Sequence, residues 1–112
     1  MADVTEPSSA TVERTDDGSG LSVIHLGGEL DISNIPAVET ELEPLLATAG
    51  DRAVFDLSAL RFMDSSGIAL LLRAREQVGD VVVRNPSAVI QRIIEATGLG
   101  DTLPIEPAPG ES

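Results

Sequence analysis

One short run in this chain has residue types that could act as a chemical switch. Asp64-Ser65-Ser66-Gly67 lies between the compact apolar run Ala53-Val54-Phe55-Asp56-Leu57 and the helix-forming run Ile68-Ala69-Leu70-Leu71-Leu72. An aspartate followed by two serines at such a junction puts hydroxyls on the first turn of a helix. Free backbone N–H groups and the positive end of the helix dipole there favour an acceptor oxygen or an added phosphate. The same four residues also read as an ordinary helix start, with Asp64 or Ser65 as cap and Gly67 easing a tight entry. A second strand-to-helix junction, Gly28-Glu29-Leu30-Asp31, keeps the first company. In a parallel α/β sheet the C-terminal strand ends share one rim, where ligands and partners bind. Asp31 and Asp64-Ser65 are therefore expected to converge on one surface.

Other chemistries find little to work with. A serine hydrolase needs a general base, and His25 sits mid-strand among alternating neighbours, where a half-exposed strand residue is the plainer role. The nucleophile-elbow pattern lacks its leading glycine before Asp64. No phosphate-cradling loop is present, because the chain contains no lysine at all. Asp16 and Asp17 pair their carboxylates in a turn without a metal-loop pattern. Cysteine is absent, which excludes disulfides and thiolate metal sites, and one histidine leaves a metal only carboxylates. No cofactor, metal or catalytic residue is expected, and the chain reads as a binding protein rather than an enzyme.

Length and charge narrow the class further. With 112 residues the chain forms one domain with one core, and with only Phe55 and Phe62 aromatic that core must be aliphatic. Nineteen acidic against seven basic residues give a formal charge of −12. Such a surface repels nucleic acid and anionic lipid and favours a partner with a basic face, although a solvated acidic face is also common. No apolar stretch reaches the ~20 residues needed to span a bilayer. Met1 to Asp17 shows neither a basic nor an apolar leader region, so a cytoplasmic, soluble protein is expected.

The elements that must position the motif follow from periodicity. Thr11–Arg14 alternates weakly as an edge strand, and Asp16-Asp17-Gly18-Ser19-Gly20 turns it into a strand over 21–26. Ser33 or Asn34 can cap a helix carrying Ile35, Val38, Leu42, Leu45 and Leu46 on one stripe. Pro44 predicts a kink or a break in that helix, and Gly50 stops it. A strand at 53–57, a loop carrying Asp64, a helix from Ser65 to Gln77 and a buried strand at 81–84 come next. Asn85, with Pro86 behind it, can cap a third helix whose inner face is Val89, Ile90, Ile93 and Ile94. Leu103-Pro104-Ile105 can add a short edge strand. The order β-β-α-β-α-β-α implies parallel pairing through right-handed crossovers, hence an α/β domain with a mixed sheet of four to five strands. Residues 1–9 are expected to be a flexible lead-in, 10–106 the domain, and 107–112 a flexible tail.

Four segments in this order carry a resemblance: Gly28-Glu29-Leu30-Asp31, Val54-Phe55-Asp56-Leu57-Ser58, Phe62-Met63-Asp64-Ser65-Ser66-Gly67 and Ala96-Thr97-Gly98-Leu99. Together they resemble the bacterial anti-sigma factor antagonists of the STAS domain family, over about residues 10 to 105. The resemblance implies a STAS-like fold and a partner-switching protein. Its unphosphorylated form would bind an anti-sigma factor that is also a serine kinase of the histidine-kinase-like ATPase type, freeing the sigma factor. Phosphorylation of the serine directly after the aspartate, here Ser65, would switch binding off, and a protein serine phosphatase would restore it. Asp31, Asp64, Ser66 and Gly67 match the partner-binding surface. Pro104, Pro107 and Pro109 argue against the family's usual C-terminal helix, so the sheet face it would cover is expected to be open or closed by a partner. Two other readings stand beside this one: a STAS accessory subunit of a transporter or signalling scaffold, in which the serine is only a cap, and, more distantly, a serine hydrolase.

Overall fold

The structure is a computed structural model that describes residues 9–16, 18 and 20–106. The expectations for the lead-in at 1–8 and the tail at 107–112 lie outside the described residues. The elements run β1 Ala10–Asp16, β2 Ser22–Leu30, α1 Ile35–Ala47, β3 Arg52–Asp56, β4 Leu60–Met63, α2 Ser65–Val78, β5 Asp80–Arg84, α3 Ala88–Ala96 and β6 Ile105–Glu106. Strand order is β1-β2-β3-β5-β6, with β4 paired to β2 off that path. The first hairpin is antiparallel and every other pairing is parallel. The domain is thus the expected mixed α/β sheet, with six strands where four to five were expected.

The added strand is β4, assigned from sequence to a loop. Leu60 and Met63 are its only buried side chains, and four residues are too few for a period to register. It is made possible by β2, which is longer than its apolar run. Ser22–His25 pairs with β3, and the register then shifts between Gly28 and Glu29 so that Gly28–Leu30 pairs with β4. Gly28 absorbs the shift at φ +83°, and a Cβ there would strike the Ser9 carbonyl. Only glycine takes that backbone without strain.

Side chains alternate across β2, β3 and β5. Ile24 and Leu26, Ala53 and Phe55, and Val81 and Val83 face the helices and join α1, α2 and α3 in one core. Val23, Val54 and Val82 stand at one register level on the other face, also buried. Helices α1 and α2 lie side by side, joined by Arg73 Nη2 to Glu39 Oε2 at 2.5 Å, and α3 packs against β4.

Three local expectations are corrected. Pro44 does not break α1, which stays one helix to Ala47, because it falls in the last turn and removes one backbone bond near a free end. Asn85 does not cap α3. It holds a left-handed φ of 56° and donates to Asp56, while Ser87 caps by accepting from the Ile90 amide at 3.2 Å. With the start displaced to Ala88, Val89 turns outward and only Ile90 and Ile94 are fully buried.

Asp56, at the end of β3, is the buried carboxylate of the sheet. Burial pushes its pKa up. The Ser58 hydroxyl (2.6 Å) and amide (2.9 Å), the Asn85 amide and the nearby His25 ring outweigh that and hold it below the ordinary carboxylate value. A depressed folded-state pKa contributes stability above the unfolded value near 3.9, and that stability is lost as pH falls through the folded value. Asp56→Asn should cost roughly 1–3 kcal/mol at pH 7. In urea melts the gap to wild type should close below about pH 4; a gap unchanged from pH 7 to 3 would refute this account.

Gly67 fixes how closely α2 approaches the sheet. A Cβ there would lie 2.8 Å from Met63 Cβ and 3.2 Å from Leu30 Cβ, atoms close to the backbone that cannot swing aside. Gly67→Ala gains about 1 kcal/mol of helix propensity but overpacks by roughly 1–3 kcal/mol. The variant should melt below wild type; a higher melting temperature would show that the turn has slack.

Candidate functional site

The site begins where β2 and β4 end together. Leu30 and Met63 are register partners, so the residues that follow them, Asp31 and Asp64, emerge side by side on one rim. The Asp64 amide donates to the Leu30 carbonyl at 3.1 Å, tying the start of α2 to the end of β2. Asp64 is the N-cap of α2, and its Oδ1 accepts from the Ser66 amide at 2.8 Å. Its carbonyl accepts from the Gly67 amide at 3.0 Å. Ser65 is the first helical residue and is exposed, Asp64 and Ser66 are half-buried, and Gly67 is buried beneath the turn.

That geometry revises one expectation. The helix start does not offer its amides freely, because Asp64 already occupies those of Ser66 and Gly67. An added phosphate at Ser65 would meet a carboxylate beside it, and tolerance of the modification rests on exposure instead.

The β2–α1 junction is built from Asp31, Ser33 and Asn34. Asp31 Oδ1 accepts from the Ser33 amide at 2.9 Å and from its hydroxyl at 2.5 Å. Asn34 is the N-cap of α1 by position, but its side chain makes no cap bond. It is buried and turned inward, with Nδ2 donating to the Glu29 carbonyl at 2.8 Å and Oδ1 accepting from the Asp31 amide at 3.1 Å. This locks Asp31 in place and was not anticipated.

A recurring signal in the sequence explains these junctions. Asp31-x-Ser33, Asp56-x-Ser58 and Asp64-x-Ser66 each form the same turn, with the aspartate accepting from the amide two residues on. In the first two the serine hydroxyl also donates back to the aspartate. Ser65 is the middle residue of the third turn, the place where a side chain projects away from it.

Among the described residues neither a histidine nor a metal-binding cluster accompanies Ser65. His25 lies five residues before Leu30 on an extended strand, roughly 16 Å away. Its Nε2 shares a hydrogen bond with the Thr15 hydroxyl at 2.9 Å, and its Nδ1 is 4.0 Å from Asp56. Without a base in reach, the hydrolase reading loses its support. No group of three or more His, Cys, Asp or Glu suited to a metal occurs among the described residues. A cleft of about 360 Å³ opens between α1 and α2, but Leu42, Leu46, Leu70 and Ala74 on its floor belong to neither junction. No helix among the described residues is long and apolar enough to cross a membrane.

Comparison with known proteins agrees with this arrangement. The family model for the STAS domain matches residues 10–112. The anti-sigma-F factor antagonist RsfB of Mycobacterium tuberculosis is 32% identical over 102 residues, covering 88% of this chain and 83% of that protein. The crystal structure of an anti-sigma factor antagonist from Mycobacterium paratuberculosis superposes with a TM-score of 0.76 at 32% identity, covering 95% of this chain and 92% of that one. SpoIIAA in its unphosphorylated form shares the fold, with a TM-score of 0.69 at 22% identity over 87% of this chain and 89% of its own. On the strength of the sheet, its two-junction rim and these matches, the chain belongs to the STAS domain family.

Proposed function

We propose that this protein is an anti-sigma factor antagonist working by partner switching in the cytoplasm. Its unphosphorylated form binds an anti-sigma factor that is also a serine kinase of the histidine-kinase-like ATPase type, and the sigma factor is released. The kinase phosphorylates Ser65 and binding is lost; a protein serine phosphatase restores it. The chain acts as a regulatory binding protein, not as an enzyme. The observation that carries this reading is the exposed Ser65 hydroxyl on the opening turn of α2, on the same rim as Asp31. The relatives named as anti-sigma factor antagonists support it.

The residues divide the work. Ser65 supplies the hydroxyl, and the kinase brings ATP, magnesium and the catalytic base. Asp31, Asp64 and Ser66 form the polar docking surface. Gly67 contributes from below, by letting the turn sit close against Met63 and Leu30. Phosphorylation adds roughly −1.5 to −2 charges beside Asp64 and Asp31, so a partner fitted to the unmodified rim meets repulsion and bulk. Ser65 is exposed, so the change alters affinity and not the fold.

Ser66 is the competing acceptor. Its half-buried position, with its amide held by Asp64, makes it the poorer substrate. The purified histidine-kinase-like kinases of the protein's own genome, each incubated with the chain and Mg-ATP, should yield one that phosphorylates Ser65 alone on phosphopeptide mapping. Ser65→Ala should bind that kinase as wild type does and remain bound when ATP is added. Ser65→Glu should bind roughly tenfold or more weakly. Equal affinity of the two variants, or phosphate on Ser66 only, would overturn the assignment.

A further inference from the structure

Large apolar side chains in this chain are nearly all buried. Among the described residues three stand out as exposed: Ile32 at 78%, Val89 at 52% and Phe62 at 46%. Single exposed hydrophobics scattered over a surface need no explanation, but a group of them beside one site does. Two of them, Ile32 and Phe62, belong to the segments that form the Ser65 rim. Ile32 follows Asp31 directly. Phe62 lies two residues before Asp64 and is the register partner of Glu29. Val89 sits on the first turn of α3, the helix packed against β4.

Neither Ile32 nor Phe62 contributes to the core, which is complete without them. Carboxylates accompany both: Asp31 precedes Ile32 in the chain, Glu29 is the register partner of Phe62, and Asp64 follows Phe62 by two residues. Arg61, 3.8 Å from Glu29, is the basic side chain against these carboxylates. A surface of this kind, with apolar centres and an acidic surround, is complementary to a hydrophobic pocket ringed by basic groups. In interfaces of that type the apolar anchors govern how long the complex lasts, whereas the charges steer approach and register.

We infer that Ile32 and Phe62 are the apolar anchors by which the kinase partner grips this protein, inserted into a hydrophobic pocket with a basic rim on that partner. The inference rests on the function proposed above and adds the chemistry of the contact. It also separates two contributions. Phosphate at Ser65 changes the charge of the rim and leaves the anchors untouched, so anchoring and switching draw on different atoms.

The test uses the full chain and the purified kinase that phosphorylates Ser65. Ile32→Ser should keep the wild-type melting temperature, and Phe62→Ser, at 46% exposure and outside the core, should remain folded. Each should weaken nucleotide-free binding, read by calorimetry, roughly tenfold or more. With Mg-ATP each should raise KM for Ser65 phosphorylation in proportion while kcat at saturation stays the same, a split that loss of folding would not produce. If the kinase binds wild type and both variants equally, the anchor inference falls and the role of Ser65 stands. If it binds none of them, wild type included, the functional reading falls and the anchors with it. If the substitutions instead disperse a wild-type dimer in sedimentation and leave kinase binding unchanged, the patch belongs to self-association and the inference is overturned.

Discussion

The hydrogen bond from the Asp64 amide to the Leu30 carbonyl holds together everything that bears on function. It fastens the first residue after β4 to the last residue of β2, so the opening turn of α2 cannot drift from the β2–α1 junction. Two features make the bond possible. Gly28 lets β2 shift register and accept β4, and Gly67 lets α2 descend onto Leu30 and Met63. The Asp64 carboxylate then closes the arrangement by taking the Ser66 amide. Ser65 is left outward because its neighbours on both sides are committed inward.

A site built this way is suited to regulation rather than catalysis. Its serine is far from His25, and the Ser66 and Gly67 amides at the helix start are engaged by Asp64. In the switch we propose, a phosphate added there would be tolerated by the fold and resisted by its surroundings, changing affinity while leaving structure alone. In that proposal the carboxylates on the rim would set the sign of the effect, and the exposed Ile32 and Phe62 would supply the part of the contact that charge cannot. Placing both on strand ends and helix starts, with backbone bonds throughout, keeps the surface rigid enough for one added group to matter.

Much of this was legible in the residues. Continuous or periodic apolar runs such as Val81-Val82-Val83 and Ile35 to Leu46 identified their strand and helix, and the Asp64-Ser65 junction placed the start of α2 at about Ser65, with Asp64 or Ser65 as its cap. What escaped was shorter than a period or settled by tertiary contact. Strand β4 has four residues and buries two of them, so it exists only because β2 offers a free edge beyond β3. Asn34 and Asn85 both look like caps, yet one turns inward to the Glu29 carbonyl and the other to Asp56, where a buried partner outweighs a cap exposed to water. Pro44 looked like a break, but near a helix end it costs one bond and α1 continues. The threefold Asp-x-Ser pattern was present in the sequence and would have located all three turns.

The central claim is that one phosphate on Ser65 changes what this surface binds without changing the fold beneath it. Titrating the kinase against the chain in two forms, unmodified and stoichiometrically phosphorylated at Ser65, tests it most directly when amide NMR spectra of both are recorded alongside. The account predicts an affinity at least roughly tenfold lower for the phosphorylated form, with amide shifts confined to residues around Asp31 and Asp64. Equal affinities, or spectral changes spread through the core, would contradict it.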